Sequence, residues 1–313
     1  MRSINMKPGI NLFAFTCSVW LLASGTALAD GVVTKPGALP PETREQLTAL
    51  IAQAKASDPE AFAAVAAVDT YKPAGIARMR HNQPTATRGF RQLGERALLP
   101  LIELAVFRAN RGALTNDQWN ALGDGLIQAL AFLRNTQARP VLQAVFEHSA
   151  NARWASSAAE GLGMLCGAED RAVLLATLDA SDFRLGAAVT GLQHCRTTEV
   201  ADRIAEVLRD TTDEEVARRA VRALGYLGSS WALEADKRVS PTEGESISRI
   251  TSDALLAAYL GRPDVVREQS LGALLMVGNR RTVDRINALR PSLNADQRAA
   301  ADALHARLPP HAR

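Results

Sequence analysis

The chain has 313 residues, 47% of them hydrophobic but only 5% aromatic, and carries a formal net charge of +3. This balance excludes a core built on large rings and points to closely packed helices of Ala, Leu and Val. A charge so near neutrality names no partner by itself.

Residues 1–29 read as a secretory signal, with Arg2 and Lys7 at the start, a short apolar run over 12–23, and the small-residue site Ala27-Leu28-Ala29 before Asp30. The run is shorter than the roughly 20 residues a spanning helix needs. The mature chain is therefore expected to be periplasmic or secreted, with no integral span, and its charge falls to +1 once Arg2 and Lys7 are removed from +3. Residues 30–41, with Pro36, Gly37, Pro40 and Pro41, predict a flexible or extended lead-in. Within 42–88, a helix over 42–56 and a second opened by Ser57-Asp58-Pro59-Glu60 are expected to cap an apolar end of a stacked array.

Residues 71–111 are the most basic stretch. Two readings stand side by side: a solvated helix surface, or an anion-binding patch of Lys72, Arg78, Arg80, Arg88 and Arg91 that takes an anionic polymer or a membrane surface. No aromatic interleaving accompanies the charge, so no nucleic-acid partner is expected.

From residue 89 to 293 a unit recurs. Its cleanest copy is residues 212–228, TDEEVARRAVRALGYLG: Thr212 and Glu215 have capping-box spacing, Ala217, Ala220, Val221, Leu224 and Leu227 share one helical face, and Gly228 stands at the stop. Equivalent inward leucines are Leu130, Leu162, Leu192, Leu224 and Leu274, spaced by 32, 30, 32 and 50 residues. The first three spacings equal two helices and a turn; the fourth holds an insertion near 239–262, read as a loop over 240–245 and an added helix over 246–261. That added segment either fills a groove or offers a binding face. Residues 294–313 supply a closing helix, started by an Asn294 to Gln297 cap and stopped by Pro309-Pro310.

The second helices pair an acid with a base, as in Asp170-Arg171, Asp202-Arg203, Asp236-Lys237 and Asp284-Arg285. Adjacent charges point about 100° apart on a helix, so each Asp is expected to meet the base of the next unit. Arg139, Arg171, Arg203 and Arg285 then either join a ladder of salt bridges or hold an acidic partner. Cys166 and Cys195 occupy nearly the same point of successive units, four residues after Leu162 and three after Leu192, which is compatible with a disulfide or with two buried thiols.

No chemistry-bearing motif emerges. The five histidines form no metal-ligand pair, no phosphate or dinucleotide loop is present, and His194 beside Cys195 lacks the through-space geometry of a nucleophile and its base. No cofactor and no metal are expected. Trp119, Trp154 and Trp231 read as core or seam residues.

DEEVARRAVRALGYLG resembles a HEAT repeat, in the short form of the phycobilisome-lyase HEAT-like group. Asp213, Val216, Ala220, Ala223, Leu224 and Gly225 match its first helix, Ala217 stands where the family prefers Arg, and Val266, Arg267, Ala273 and Leu274 match in the last unit. The resemblance implies an all-α, right-handed α-solenoid of antiparallel helix pairs that binds proteins, and no shared active site. The leading expectation is an exported, non-catalytic scaffold for a protein or peptide partner in the bacterial envelope. The alternatives are a lyase-like accessory enzyme, suggested by the repeat subtype, or the anionic-polymer and membrane binder above.

Overall fold

Small residues let the helices of this chain approach backbone to backbone, and the architecture is built from those approaches. The structure, a computed structural model, describes residues 30–68, 85–109, 111–262, 264–278 and 280–308. The expected leader, Lys72, Arg78, Arg80, Pro263 and the Pro309-Pro310 stop lie outside the described residues. Among the described residues all regular structure is helical, without a strand, and no helix is long and apolar enough to cross a membrane.

The N-terminal elements are α1 (Pro41–Ser57), α2 (Pro59–Ala67), α3 (Thr85–Gln92) and α4 (Leu98–Ile102), the last running into a π turn at Glu103–Phe107. The lead-in expected to be flexible is pinned to that turn. Val32 and Val33 donate their N–H groups to the Leu104 and Ala105 carbonyls at 3.1 and 3.0 Å, Ala109 donates back to the Asp30 carbonyl at 3.0 Å, and both valines and Leu39 are buried. Buried apolar side chains and shared backbone bonds hold a segment that has no periodicity of its own.

Helix α5 (Asn116–Leu133) is followed by α6 (Arg139–His148), α7 (Ala152–Leu165) by α8 (Ala168–Ala176), α9 (Phe183–Leu192) by α10 (Thr198–Asp210), and α11 (Glu214–Gly228) by the short α12 (Ser230–Ala235) and the long α13 (Pro241–Gly261). Helices α14 (Asp264–Val277), α15 (Arg280–Leu289) and α16 (Ala295–Arg307) complete the chain. The first helices α3, α5, α7, α9, α11 and α14 pack each on the next. Beside this row, α6 and α8 pack on α7, α10 on α11, and α13 on α10, α14 and α15. All five inward leucines, Leu130, Leu162, Leu192, Leu224 and Leu274, are at most 1% exposed, so the leucine register read from the sequence is the core.

Local details depart from expectation. Asp58 rather than Ser57 caps α2, accepting from the Ala61 N–H at 3.2 Å, because α1 runs through Ser57. Asp213 rather than Thr212 caps α11, accepting from the Val216 N–H at 2.9 Å. The loop read at 240–245 is helical: Ser240 accepts from the Glu243 N–H at 3.2 Å, Pro241 fits the first turn, and one 21-residue helix follows. The extra length between Leu224 and Leu274 is therefore carried by α12 and by the long α13.

Four residues past the inward leucine three of the first helices end in the left-handed region, at Arg134 (φ 50°), Cys166 (φ 48°) and Gly278 (φ 49°). Cys166 at the end of α7 is bonded to Cys195 just beyond α9, with Cα atoms 5.5 Å apart. Nearby, α7 and α9 touch through glycine: a Cβ at Gly163 would lie 1.8 Å from the Gly191 carbonyl oxygen, and one at Gly191 would lie 2.3 Å from that of Ala159.

Two stability measurements follow. Gly163→Val drives a side chain into backbone with nowhere to move, and chemical denaturation should register a loss of about 3 kcal/mol, the upper end for overpacking; an unchanged midpoint would refute the contact. The bridge closes a loop with a sequence separation of 29. Its reduction, or Cys166→Ser with Cys195→Ser, should cost about 3 to 4 kcal/mol on the loop-entropy account, measured as a shift in urea midpoint.

A candidate groove across the first helices

The arginines singled out on the second helices are engaged within the fold. Arg139, the first residue of α6, forks onto Asp170 of α8 at 2.7 and 3.1 Å and reaches Glu169 at 3.3 Å. Asp170 is 1% exposed and also accepts the Gly167 N–H at 2.8 Å; its hydrogen bond raises the guanidinium of Arg139 above its ordinary pKa. Arg171 lies 3.3 Å from Glu199, Arg203 3.0 Å from Asp179 and 2.6 Å from Glu206, and Arg285 3.3 Å from Asp253. Salt bridges thus cross from unit to unit, but in a different register from the one expected. Asp170 meets the base of the preceding unit, and Asp202 and Asp284 are exposed with no ion pair among the described residues.

Asp236 does not sit within a second helix but ends α12, where Arg238 and Arg196 approach it at 2.8 and 3.4 Å. The Arg238 side chain, its backbone N–H and the more distant Arg196 hold this carboxyl well below the usual carboxylate range.

Among the described residues of the basic stretch the charges are dispersed. Arg88 and Arg91 are exposed on α3, Arg96 turns to Asp58 at 2.7 Å, and Arg111 lies 5.6 Å from the centre of the Trp119 ring. Arg91 does something else: its guanidinium stacks 3.8 Å above the ring of Phe132 on α5. Trp154 is buried and Trp119 half-buried, but Trp231, expected in a seam, is 76% exposed because α12 breaks away after Ser229.

Arg91 and Phe132 lead to a groove of about 640 Å³ that crosses α5, α7, α9 and α11. It has a repeating construction. Two residues beyond each inward leucine stand Phe132, Met164, His194 and Tyr226, all lining the groove; two residues before each stand Gln128, Glu160, Thr190 and Arg222, lining it as well. Two positions along a helix turn the side chain by about 200°, so both registers face away from the leucine core. Met276 of α14 continues the first register and is 43% exposed. Tyr226 is 46% exposed.

Buried polar bonds fix one end of this surface. Asp124 of α5, 1% exposed, accepts from Ser157 of α7 at 2.8 Å and from Gln128 at 3.2 Å, and is held by the Arg153 guanidinium; Gln128 in turn accepts from Thr87 of α3 at 3.1 Å. The network ties three successive first helices. In mid-groove the His194 ring lies 3.5 Å from Glu160. At the far end Arg219 pairs with Glu215 at 3.0 Å and Arg218 approaches it at 3.6 Å, while Arg222 has no ion pair among the described residues.

Cys195 beside His194 is half of the disulfide and so carries no thiolate. Among the described residues no three His, Cys, Asp or Glu side chains gather as a metal site. A second cleft of about 440 Å³ between α10 and α13 mixes Asp202 and Asp253 with Arg249 and Arg262, and Arg262 is taken up by the last carbonyls of α10. No protein-family model and no curated protein matches the chain.

Sequence reasoning followed the leucines and the second-helix arginines, and it passed over the register two residues past each leucine. Reading Phe132, Met164, His194, Tyr226 and Met276 as a column would have found it.

The depressed Asp236 carboxyl gives a pH test. Its stabilisation is complete above the unfolded pKa of about 3.9 and is lost as pH falls toward the lower folded value. Asp236→Asn should flatten the stability profile between about pH 4 and 2 in acid denaturation followed by circular dichroism; an identical slope would remove Asp236 from the account.

Proposed function

We propose that the chain is an exported, non-catalytic helical-repeat protein that binds a segment of a partner protein along the outer face of its first helices, as a scaffold in the bacterial envelope. The observation that carries the reading is the groove across α5, α7, α9 and α11, where Phe132, Met164, His194 and Tyr226 recur two residues past each inward leucine and the column stays accessible at Tyr226. Accessible rings and methionines in a column are what a binding surface needs and a solvated face does not. The stacking of first helices and the match of residues 213–228 to the HEAT pattern support a right-handed α-solenoid as the architecture. Export rests on the leader pattern of residues 1–29.

On this reading the partner sits on a different surface from the second-helix arginines. Arg139, Arg171, Arg203 and Arg285 already hold carboxylates of their own chain, which supports their role in joining units. Releasing them to a ligand would forfeit those pairs.

Photo-reactive benzoylphenylalanine in place of Tyr226 should cross-link a defined partner protein in envelope preparations, whereas the same residue in place of Arg203 should not. Adding Arg222→Glu should abolish the capture while moving stability by less than about 0.5 kcal/mol, since the side chain is exposed. Capture that is equal from both positions, or absent from 226, would sink the reading.

A further inference from the structure

Helix α11 carries arginines at 218, 219 and 222 beside a single acid, Glu215. Arg218 and Arg219 stand four and three residues before Arg222, so the three charges share one side of the helix and repel one another. Glu215 is seven residues from Arg222 and pairs instead with Arg219 at 3.0 Å and Arg218 at 3.6 Å. These four residues line a pocket that also takes side chains from α7 and α9. One carboxylate against three guanidiniums leaves it a formal excess of two positive charges. The nearest other acid, Glu160, faces His194 in the adjoining groove.

Neutral contacts position this charge without cancelling it. Arg219 donates through Nη1 to the Gly186 carbonyl at 3.4 Å and to the Thr190 hydroxyl at 3.5 Å. Gly186 leaves it room, since a Cβ there would stand 3.2 Å from Cδ of Arg219. Arg218 turns the other way, where the Gln269 amide oxygen of α14, in the orientation that satisfies both groups, accepts from it at 3.1 and 3.2 Å.

Several donors are left over. Arg222, Nη2 of Arg219 and the Ser156 hydroxyl have no acceptor among the described residues. Gln193 is 8% exposed, and its amide has one polar contact, the His194 ring at 3.4 Å, so at least one of its N–H groups is spare as well. Water can serve each donor singly, but only an anion also answers the charge. A carboxylate is planar and is filled by one guanidinium fork. Phosphate offers three oxygens and a charge of about −1.5 to −2, which suits both the number of donors and the excess charge.

We propose that the pocket between α7, α9 and α11 binds a phosphate group, free or as the monoester end of a larger molecule, with Arg222 as its principal ligand and Arg219, Gln193 and Ser156 beside it. The site does not depend on the partner-binding reading, with which it shares Arg222.

The probe is inorganic phosphate, titrated by calorimetry into the purified, disulfide-intact protein at constant ionic strength. Half-saturation is expected by about 1 mM. Arg222→Gln and Arg219→Gln should each weaken binding about tenfold. Glu215→Gln, which removes the opposing charge, should tighten it about threefold, and Arg203→Gln on α10 should change nothing. Without phosphate, Arg222→Gln should melt no lower than the parent, because it relieves like-charge repulsion; lost binding is then not lost folding. Succinate, a dianion with planar ends, should bind about tenfold more weakly than phosphate. Vesicles of phosphatidic acid in phosphatidylcholine identify the source: retention that phosphate competes away assigns a lipid headgroup, and phosphate binding without retention assigns a soluble one. No half-saturation by about 1 mM phosphate, equal binding of succinate, or an unchanged affinity in Arg222→Gln would overturn the proposal. Such a failure leaves cross-linking at position 226 intact as a test of the scaffold, and absence of that capture leaves the phosphate titration untouched.

Discussion

Everything in this fold depends on how closely consecutive first helices approach. Between α7 and α9 the backbones meet at Gly163 and Gly191, with no room for a Cβ on either. Close approach sets the rung spacing, the rung spacing sets where the outer registers fall, and the outer registers make the groove. The leucines on the inner side supply the burial energy, but burial is non-directional and would tolerate a looser stack. The glycines supply the geometry.

Polar contacts act on this stack mainly by fixing register. The Asp124 network joins α3, α5 and α7, and Arg139 with Asp170 joins α6 to α8. Each places a buried carboxylate against a charged side chain of a neighbouring helix, so slippage by a turn would strand a charge. Exposed pairs such as Arg203 with Asp179 lie in high dielectric and contribute little each. The units are thus located by a few buried anchors rather than by the number of surface bridges.

How much of this was legible follows from what each feature depends on. The inward leucines and the box at Asn294 depend on one helix alone, and both stand where the sequence puts them. The partner of Asp170 depends on the offset between neighbouring units, which no single helix encodes. The same holds for the lead-in, whose partner carbonyls exist only because residues 103–107 wind as a π turn. Ser240 and Pro241 were misread as loop because helix-opening and turn signals share the same residues. The groove was hidden for another reason: Phe132, Met164, His194 and Tyr226 are chemically unlike, and only their common distance from the leucines makes them a column.

The disulfide joins the ends of α7 and α9 immediately beside Met164 and His194, the two middle rungs. A stack of helix pairs is an elastic object, each interface able to open or twist a little under load. Here one interface is covalently clamped while those on either side are held by packing and hydrogen bonds. Strain from a pull on the chain is therefore taken up toward Phe132 and toward Tyr226. The centre keeps its dimensions, and acts as a fixed gauge against which the rest of the surface adjusts.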